Sequence, residues 1–242
     1  MIFWLFHLKK RINILNRILL LLIAGFAFGC DQKPTFESEL DKLFSSAFSS
    51  EAPGGAVLIM KDEKIIFSKG YGLADLTTKE KITPQTLFNT GSISKTFVSN
   101  VILDLAREGK LSLNDSLGKY FTDFKNPEIT NKVRIHHLLT HTSGLPDNRR
   151  VFLDSLFLLT AKDEENFAPI KLNDSLLFEP GSHYEYSNPA FNGLALIIEK
   201  VTGRKWQEEV KERIFKPSGM KTSAITDGPF PYTGVSHAYL KI

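Results

Sequence analysis

The apolar positions change period several times along the chain, and each period predicts an element. Leu40, Leu43, Phe44, Ala47 and Phe48 recur every three or four residues, the mark of a helix with one buried stripe. Pro53-Gly-Gly55 ends that pattern. Ala56 to Met60 is a short apolar run, Lys61-Asp-Glu-Lys64 a polar turn and Ile65 to Phe67 a second run. Together they predict a β-hairpin, followed by a turn through Gly70-Tyr-Gly72. Apolar residues at Ile93, Phe97, Val98, Val101, Ile102 and Leu105 predict a long helix that opens near Ser92 and stops at Gly109. Residues 110 to 180 mix short apolar runs with turn residues and read as helical and irregular. Asn188-Pro189 starts another helix, with Asn188 as a candidate N-cap, a stripe of Leu194, Ile197, Ile198 and Val201, and Gly203 after its end. Trp206 to Phe215 is a further short helix, stopped by Pro217 and Gly219.

The head of the Ser92 helix carries the candidate chemistry. Ser92-Ile-Ser-Lys95 sets a lysine one turn beyond a serine, on the same helix face. A neutral amine there can take the hydroxyl proton and leave a nucleophilic oxygen. Helix N-terminal N–H groups also favour negative charge on a bound acyl oxygen. A capping serine has the same local sequence, so this segment alone leaves both readings open. Ser-x-x-Lys occurs three times, the others being Ser116 with Lys119 and Ser218 with Lys221. Both of those lie in turn-rich stretches, and only Ser92 opens an amphipathic run.

Composition changes the picture at the N-terminus. Lys9, Lys10, Arg11 and Arg17 precede an apolar stretch, Ile18 to Phe28, that is too short to span a bilayer comfortably. Gly29 and Cys30 follow, and Cys30 is the one cysteine of the chain, so an internal disulfide is excluded. The arrangement resembles a bacterial lipoprotein signal, with Ala27 where most such signals have leucine. It implies removal of residues 1–29, lipidation of Cys30, a tether over residues 30–36 and an exported protein anchored in the cell envelope or periplasm. Without residues 1–29 the net charge of +3 becomes 26 basic against 27 acidic residues, which argues against a nucleic-acid partner. The remaining 213 residues suffice for one domain with a good core.

Four stretches, in order, resemble the penicillin-recognising serine hydrolases of the class C β-lactamase type, a group that includes D-Ala-D-Ala carboxypeptidases, D-aminopeptidases and related esterases. They are Ser92-Ile-Ser-Lys95; Ile135-His-His-Leu-Leu-Thr-His-Thr-Ser-Gly-Leu-Pro146; Pro180-Gly-Ser-His-Tyr-Glu-Tyr-Ser-Asn188; and Ile214-Phe-Lys-Pro-Ser-Gly-Met220. The resemblance covers nearly all of residues 37–242. It implies that Ser92 is the acylated nucleophile, Lys95 the base or its partner, Tyr186 a second proton-handling group and Asn188 a hydrogen-bonding partner of the substrate amide. Tyr184 lacks an asparagine two residues on and reads as packing. His141-Thr-Ser-Gly144 reads as a turn braced by side-chain hydrogen bonds. His136, His137 and His141 have no clear acidic or cysteine partner at ligand spacing, so the reading assigns no metal, and it implies no cofactor.

The implied fold is α+β, β-lactamase/transpeptidase-like: an antiparallel sheet flanked by helices, with a mostly helical lobe around residues 110–180. The family's third motif, Lys-Thr-Gly or His-x-Gly, lies on a strand that does not occur before Ile242. Lys221-Thr-Ser223 follows the Ser-Gly-Met loop directly, and His237-Ala-Tyr239 lacks the glycine. The expectation is therefore a member cut short, lacking C-terminal strands, a closing helix and one oxyanion-hole donor. Its hairpin should carry an unpaired edge and exposed apolar surface, and the product as written should be poorly stable and inactive. The implied function is acyl-enzyme hydrolysis of an amide, β-lactam or ester. A lipid-anchored protein that binds peptidoglycan peptides without turnover, or an inactive truncated product, are the rival readings.

Overall fold

Helix α1, Phe36–Ala47, opens where Thr35 accepts a hydrogen bond from the Ser38 amide, the N-cap bond that satisfies one free N–H of the first turn. The computed structural model describes residues 34–148, 161–226 and 234–239. The signal, Cys30 and the first residues of the tether lie outside the described residues. The chain divides into two units, residues 1–84 and 85–242.

In the first unit α1 packs on a two-stranded antiparallel sheet, β1 Gly55–Lys61 and β2 Lys64–Tyr71. Ile59 pairs with Phe67 and Gly55 with Tyr71, which puts both aromatic rings on the face that α1 covers. Phe44 stacks on Phe67 at 6.2 Å between centroids, and Phe48 on Tyr71 at the same distance. The turn residues Asp62 and Glu63 both have positive φ, 49° and 62°, the left-handed pair that matches the twist of a tight hairpin. Leu58, Met60 and Ile65 remain more than half exposed. Gly70 is required by close approach, since the Ile82 carbonyl oxygen passes 2.2 Å from where a Cβ would stand.

The second unit is helical and carries the large core. α2, Ser94–Arg107, is preceded by a 3-10 turn over Gly91–Ile93. A further 3-10 turn, Leu117–Lys119, leads to α3, Pro127–Lys132, and α4, Ile135–Leu139. α5 spans Asp163–Lys171 and α6 Asn188–Thr202. α7, Trp206–Val210, continues as a π turn over Lys211–Phe215. Val101, Ile102 and Leu105 of α2 are fully buried with Leu194, Ile197 and Ile198 of α6. The two helices thus bury facing stripes against each other, the arrangement their sequence periods require. Ile93 departs from the expected stripe. It lies in the 3-10 turn ahead of α2, where the angular phase differs from that of the helix, and is 58% exposed. α2 ends as its sequence indicates: Gly109 has φ 72°, and the Lys110 amide bonds back to the Leu105 carbonyl at 2.9 Å.

Candidate active site

Ser92 sits on the 3-10 turn, exposed, two residues before α2 begins at Ser94. The turn is shaped locally: Asn89 Oδ1 accepts from the Gly91 amide at 2.8 Å, and the Ser94 hydroxyl donates to the Gly91 carbonyl at 2.7 Å. Lys95 occupies the first turn of α2, and its Nζ reaches back to donate to Ser92 Oγ at 3.1 Å. The same Nζ donates to Asn188 Oδ1 at 2.9 Å. Tyr186 Oη lies 2.8 Å from Ser92 Oγ. The Lys95 amine also faces the rings of Tyr186 and Phe191, at 5.1 and 5.7 Å from their centroids, where ring quadrupoles attract a cation. The structure therefore brings Ser92, Lys95, Tyr186 and Asn188 into one hydrogen-bonded cluster.

Asn188 takes part because it is not the cap. The Ser187 hydroxyl, on a buried residue, accepts the Ala190 amide at 3.3 Å and serves as the N-cap of α6. Asn188 becomes the first helical residue and Pro189 the second, where its missing N–H costs nothing. The expected cap role of Asn188 is thus corrected, and its amide is left to hold Lys95.

The other two serine–lysine pairs are differently placed. Ser116 precedes the 3-10 turn, and Lys119 pairs with Asp115 at 2.8 Å. Ser218 lies in the exposed turn that closes at Gly219. Tyr184, read from sequence as packing, is instead 68% exposed, with its ring edge against His141 at 5.9 Å. His136 and His137 already use one ring nitrogen each. His136 Nδ1 lies 3.1 Å from the Leu113 carbonyl oxygen, and His137 Nδ1 accepts the Arg134 amide at 3.1 Å.

Two features went unread in the sequence. The first is a cavity of about 240 Å³ beside the cluster, lined by Lys95, Val98, Asp163, Asn188 and Trp206 among others. Asp163 accepts from Asn192 Nδ2 and Trp206 Nε1, both at 2.7 Å. Burial pushes its carboxyl pKa up despite those bonds, with Glu164 and Glu199 adding repulsion. The second is the contact of His141, read only as part of a braced turn, with Tyr186: the two ring centroids lie 4.5 Å apart. The bracing read for its loop is present: the Thr140 and Thr142 hydroxyls meet at 2.8 Å, and Ser143 Oγ accepts the Leu145 amide at 3.3 Å. Gly144, at φ 71°, runs so close to the chain that a Cβ would stand 2.3 Å from the Phe178 carbonyl oxygen. No local period could have placed His141 or Asp163, because both meet their partners across segments distant in sequence.

Comparison with known proteins agrees with this geometry. The Beta-lactamase family model matches residues 37–240. A D-aminopeptidase of Brucella anthropi is 37% identical over 184 residues, covering 72% of this chain and 33% of the relative. Among solved structures, a penicillin binding protein from Bacillus halodurans superposes with TM-score 0.70 at 28% identity, over 83% of this chain and 60% of that one. A penicillin-binding protein homologue from Pyrococcus abyssi gives TM-score 0.65 at 31% identity, over 76% and 42% of the two chains. The chain spans about a third of the length of the curated relatives it matches. Its helices and small antiparallel sheet are those of a β-lactamase/transpeptidase-like α+β fold, and the chain belongs to the beta-lactamase family.

Proposed function

We propose that the protein is a serine hydrolase that works through an acyl-enzyme on Ser92, with an amide, a β-lactam or an ester as substrate. The observation that carries this is the position of Ser92 Oγ, within hydrogen-bond reach of both Tyr186 Oη and Lys95 Nζ. Ser92 Oγ attacks the substrate carbonyl carbon while its proton passes to one of these two groups. The scissile C–N or C–O bond breaks as that group returns the proton to the leaving atom. Water then attacks the Ser92 ester, gives up its proton to the same group, and the Ser92 hydroxyl re-forms. Asn188 holds the Lys95 amine in register and presents its own amide to the cavity. The resemblance to a D-aminopeptidase supports an amide of a D-amino acid within this substrate class.

Lys95→Ala and Tyr186→Phe are each expected to slow acylation of the full-length protein by ~10²-fold or more, the usual effect of a positioned proton-transfer group. The rate of labelling by a fluorophosphonate measures this directly. Near-normal labelling in either variant removes that residue from the mechanism.

We also propose that the protein is an exported lipoprotein held to the membrane through Cys30. The short apolar stretch ending at Gly29-Cys30 supports this. One acyl chain binds a bilayer only marginally, so more than one is expected on Cys30. Membrane fractions washed with salt should retain the protein, and Cys30→Ser should release it. Retention of the Cys30→Ser variant would count against the anchor.

A further inference from the structure

His141 follows α4 with φ 56°, in the left-handed region where histidine is enriched among non-glycine residues. From that position it holds both neighbours of Tyr186 in the chain. Its carbonyl accepts the Glu185 amide at 2.8 Å, and its Nδ1 accepts the Ser187 amide at 3.1 Å. Its ring lies over the Tyr186 ring, 4.5 Å between centroids and 31° between planes. The Phe191 ring is 5.1 Å away. One residue thus pins the backbone before and after Tyr186 and stacks on the phenol between them. The phenol in turn meets Ser92 Oγ.

We propose that His141 is a positioning residue for Tyr186, active only as the neutral imidazole with its proton on Nε2. This rests on the reading of Ser92 and Tyr186 as partners in acyl transfer. A ring nitrogen that accepts a backbone N–H must be unprotonated. Protonation places a hydrogen on Nδ1 facing the Ser187 N–H, so the bond is lost and two donors oppose each other. It also sets a second cation beside the Lys95 amine. Among the described residues, the titratable and charged groups around the ring are Lys95 from α2 and Tyr184 and Tyr186 from the segment leading into α6. Burial, then the Lys95 charge, hold the imidazole below its ordinary pKa, which keeps the accepting form in place at neutral pH. The consequence is an acid limb in the acylation rate that belongs to a residue making no contact with the reacting carbonyl.

Two variants of the full-length protein separate positioning from mere folding. His141→Asn tolerates the left-handed backbone, and its Oδ1 can stand where Nδ1 accepts, but it does not titrate. His141→Phe keeps a stacked ring and loses the acceptor. Fluorophosphonate labelling rates are measured from about pH 5 to pH 8, the interval in which imidazole titrates. Circular dichroism checks folding, and the Ser187 amide resonance is followed over the same interval. The wild type should show an acid limb whose midpoint matches the titration of the Ser187 amide. His141→Asn should keep the neutral-pH rate within about tenfold and lose the limb. His141→Phe, while folded, should fall by ~10²-fold, the scale of a displaced proton-transfer group. Wild-type rates in folded His141→Phe overturn the proposal, as does a limb that persists in His141→Asn, or a His141→Asn as slow as His141→Phe. Failure of the wild type to label on Ser92 overturns the acyl-transfer reading itself, and the positioning role with it.

Discussion

Ser92→Ala is expected to abolish covalent labelling of the full-length protein and to lower hydrolysis by roughly 10⁴-fold or more, the scale seen when a serine nucleophile is removed. The reason is geometric. Ser92 Oγ is exposed to an incoming carbonyl and is bonded on its inner side to Tyr186 Oη and Lys95 Nζ. Alanine removes the atom that forms the ester, and neither neighbour can replace it as the nucleophile without leaving its own place in the cluster. The other two serine–lysine pairs lack this setting, since Lys119 is engaged by Asp115 and Ser218 stands in an exposed turn. Mass spectrometry after incubation with a fluorescent penicillin or a fluorophosphonate should find the label on Ser92 alone. Label on Ser116 or Ser218, or label persisting in Ser92→Ala, would sink the assignment.

The largest expected loss of stability is at Phe167, where Phe167→Ala should cost about 3–5 kcal/mol, the range for deleting a buried aromatic ring. The side chain is fully buried. Its ring lies 4.8 Å from that of Phe121 and 6.0 Å from that of Phe124. α6 approaches the same ring through Gly193, where a Cβ would come within 2.7 Å of Phe167 Cε2. The helix is seated on the ring, so the space left by alanine cannot close without moving α6, which carries Asn188. For a unit of this size the loss corresponds to a melting point lower by roughly 6–20 °C. Thermal unfolding of the two proteins side by side measures it, and a drop of less than about 2 °C, the shift for under 1 kcal/mol, would contradict this packing. Because α6 bears Asn188, the destabilised variant should also label more slowly at temperatures below its transition.

Much of the architecture was legible because it is written in short-range periods. The hairpin with its Lys61–Lys64 turn, the α2 stripe from Val98 to Leu105 and the end of α2 at Gly109 all follow from neighbours within a few residues of each other. The span of α1 follows too, but its expected buried stripe does not: no residue of the helix is buried, and Leu43 is 58% exposed. The errors came where two residues compete for one local role. Ser187 and Asn188 can each cap a helix, and Ser187 does so because its side chain is the one directed at the Ala190 amide. Ile93 matches the α2 stripe in spacing alone. The 3-10 turn that carries Ser92 shifts its phase and turns it outward.

What the sequence by itself determined is which residues are available and which are near in the chain: a serine and a lysine one turn apart, and a tyrosine and an asparagine at the entrance to a second helix. Their meeting could not follow from any local rule, because Ser92 and Tyr186 are 94 positions apart, as Lys95 and Asn188 are 93. It is the burial of the α2 stripe against the α6 stripe that sets the two helix starts side by side. The same packing left Tyr184 at the surface, although it shares a motif with Tyr186. Tertiary contacts also place His141 against the phenol ring and Asp163 in an open cavity beside Lys95. Side-chain direction across such distances depends on how facing surfaces interlock, and only the tertiary structure contains that information.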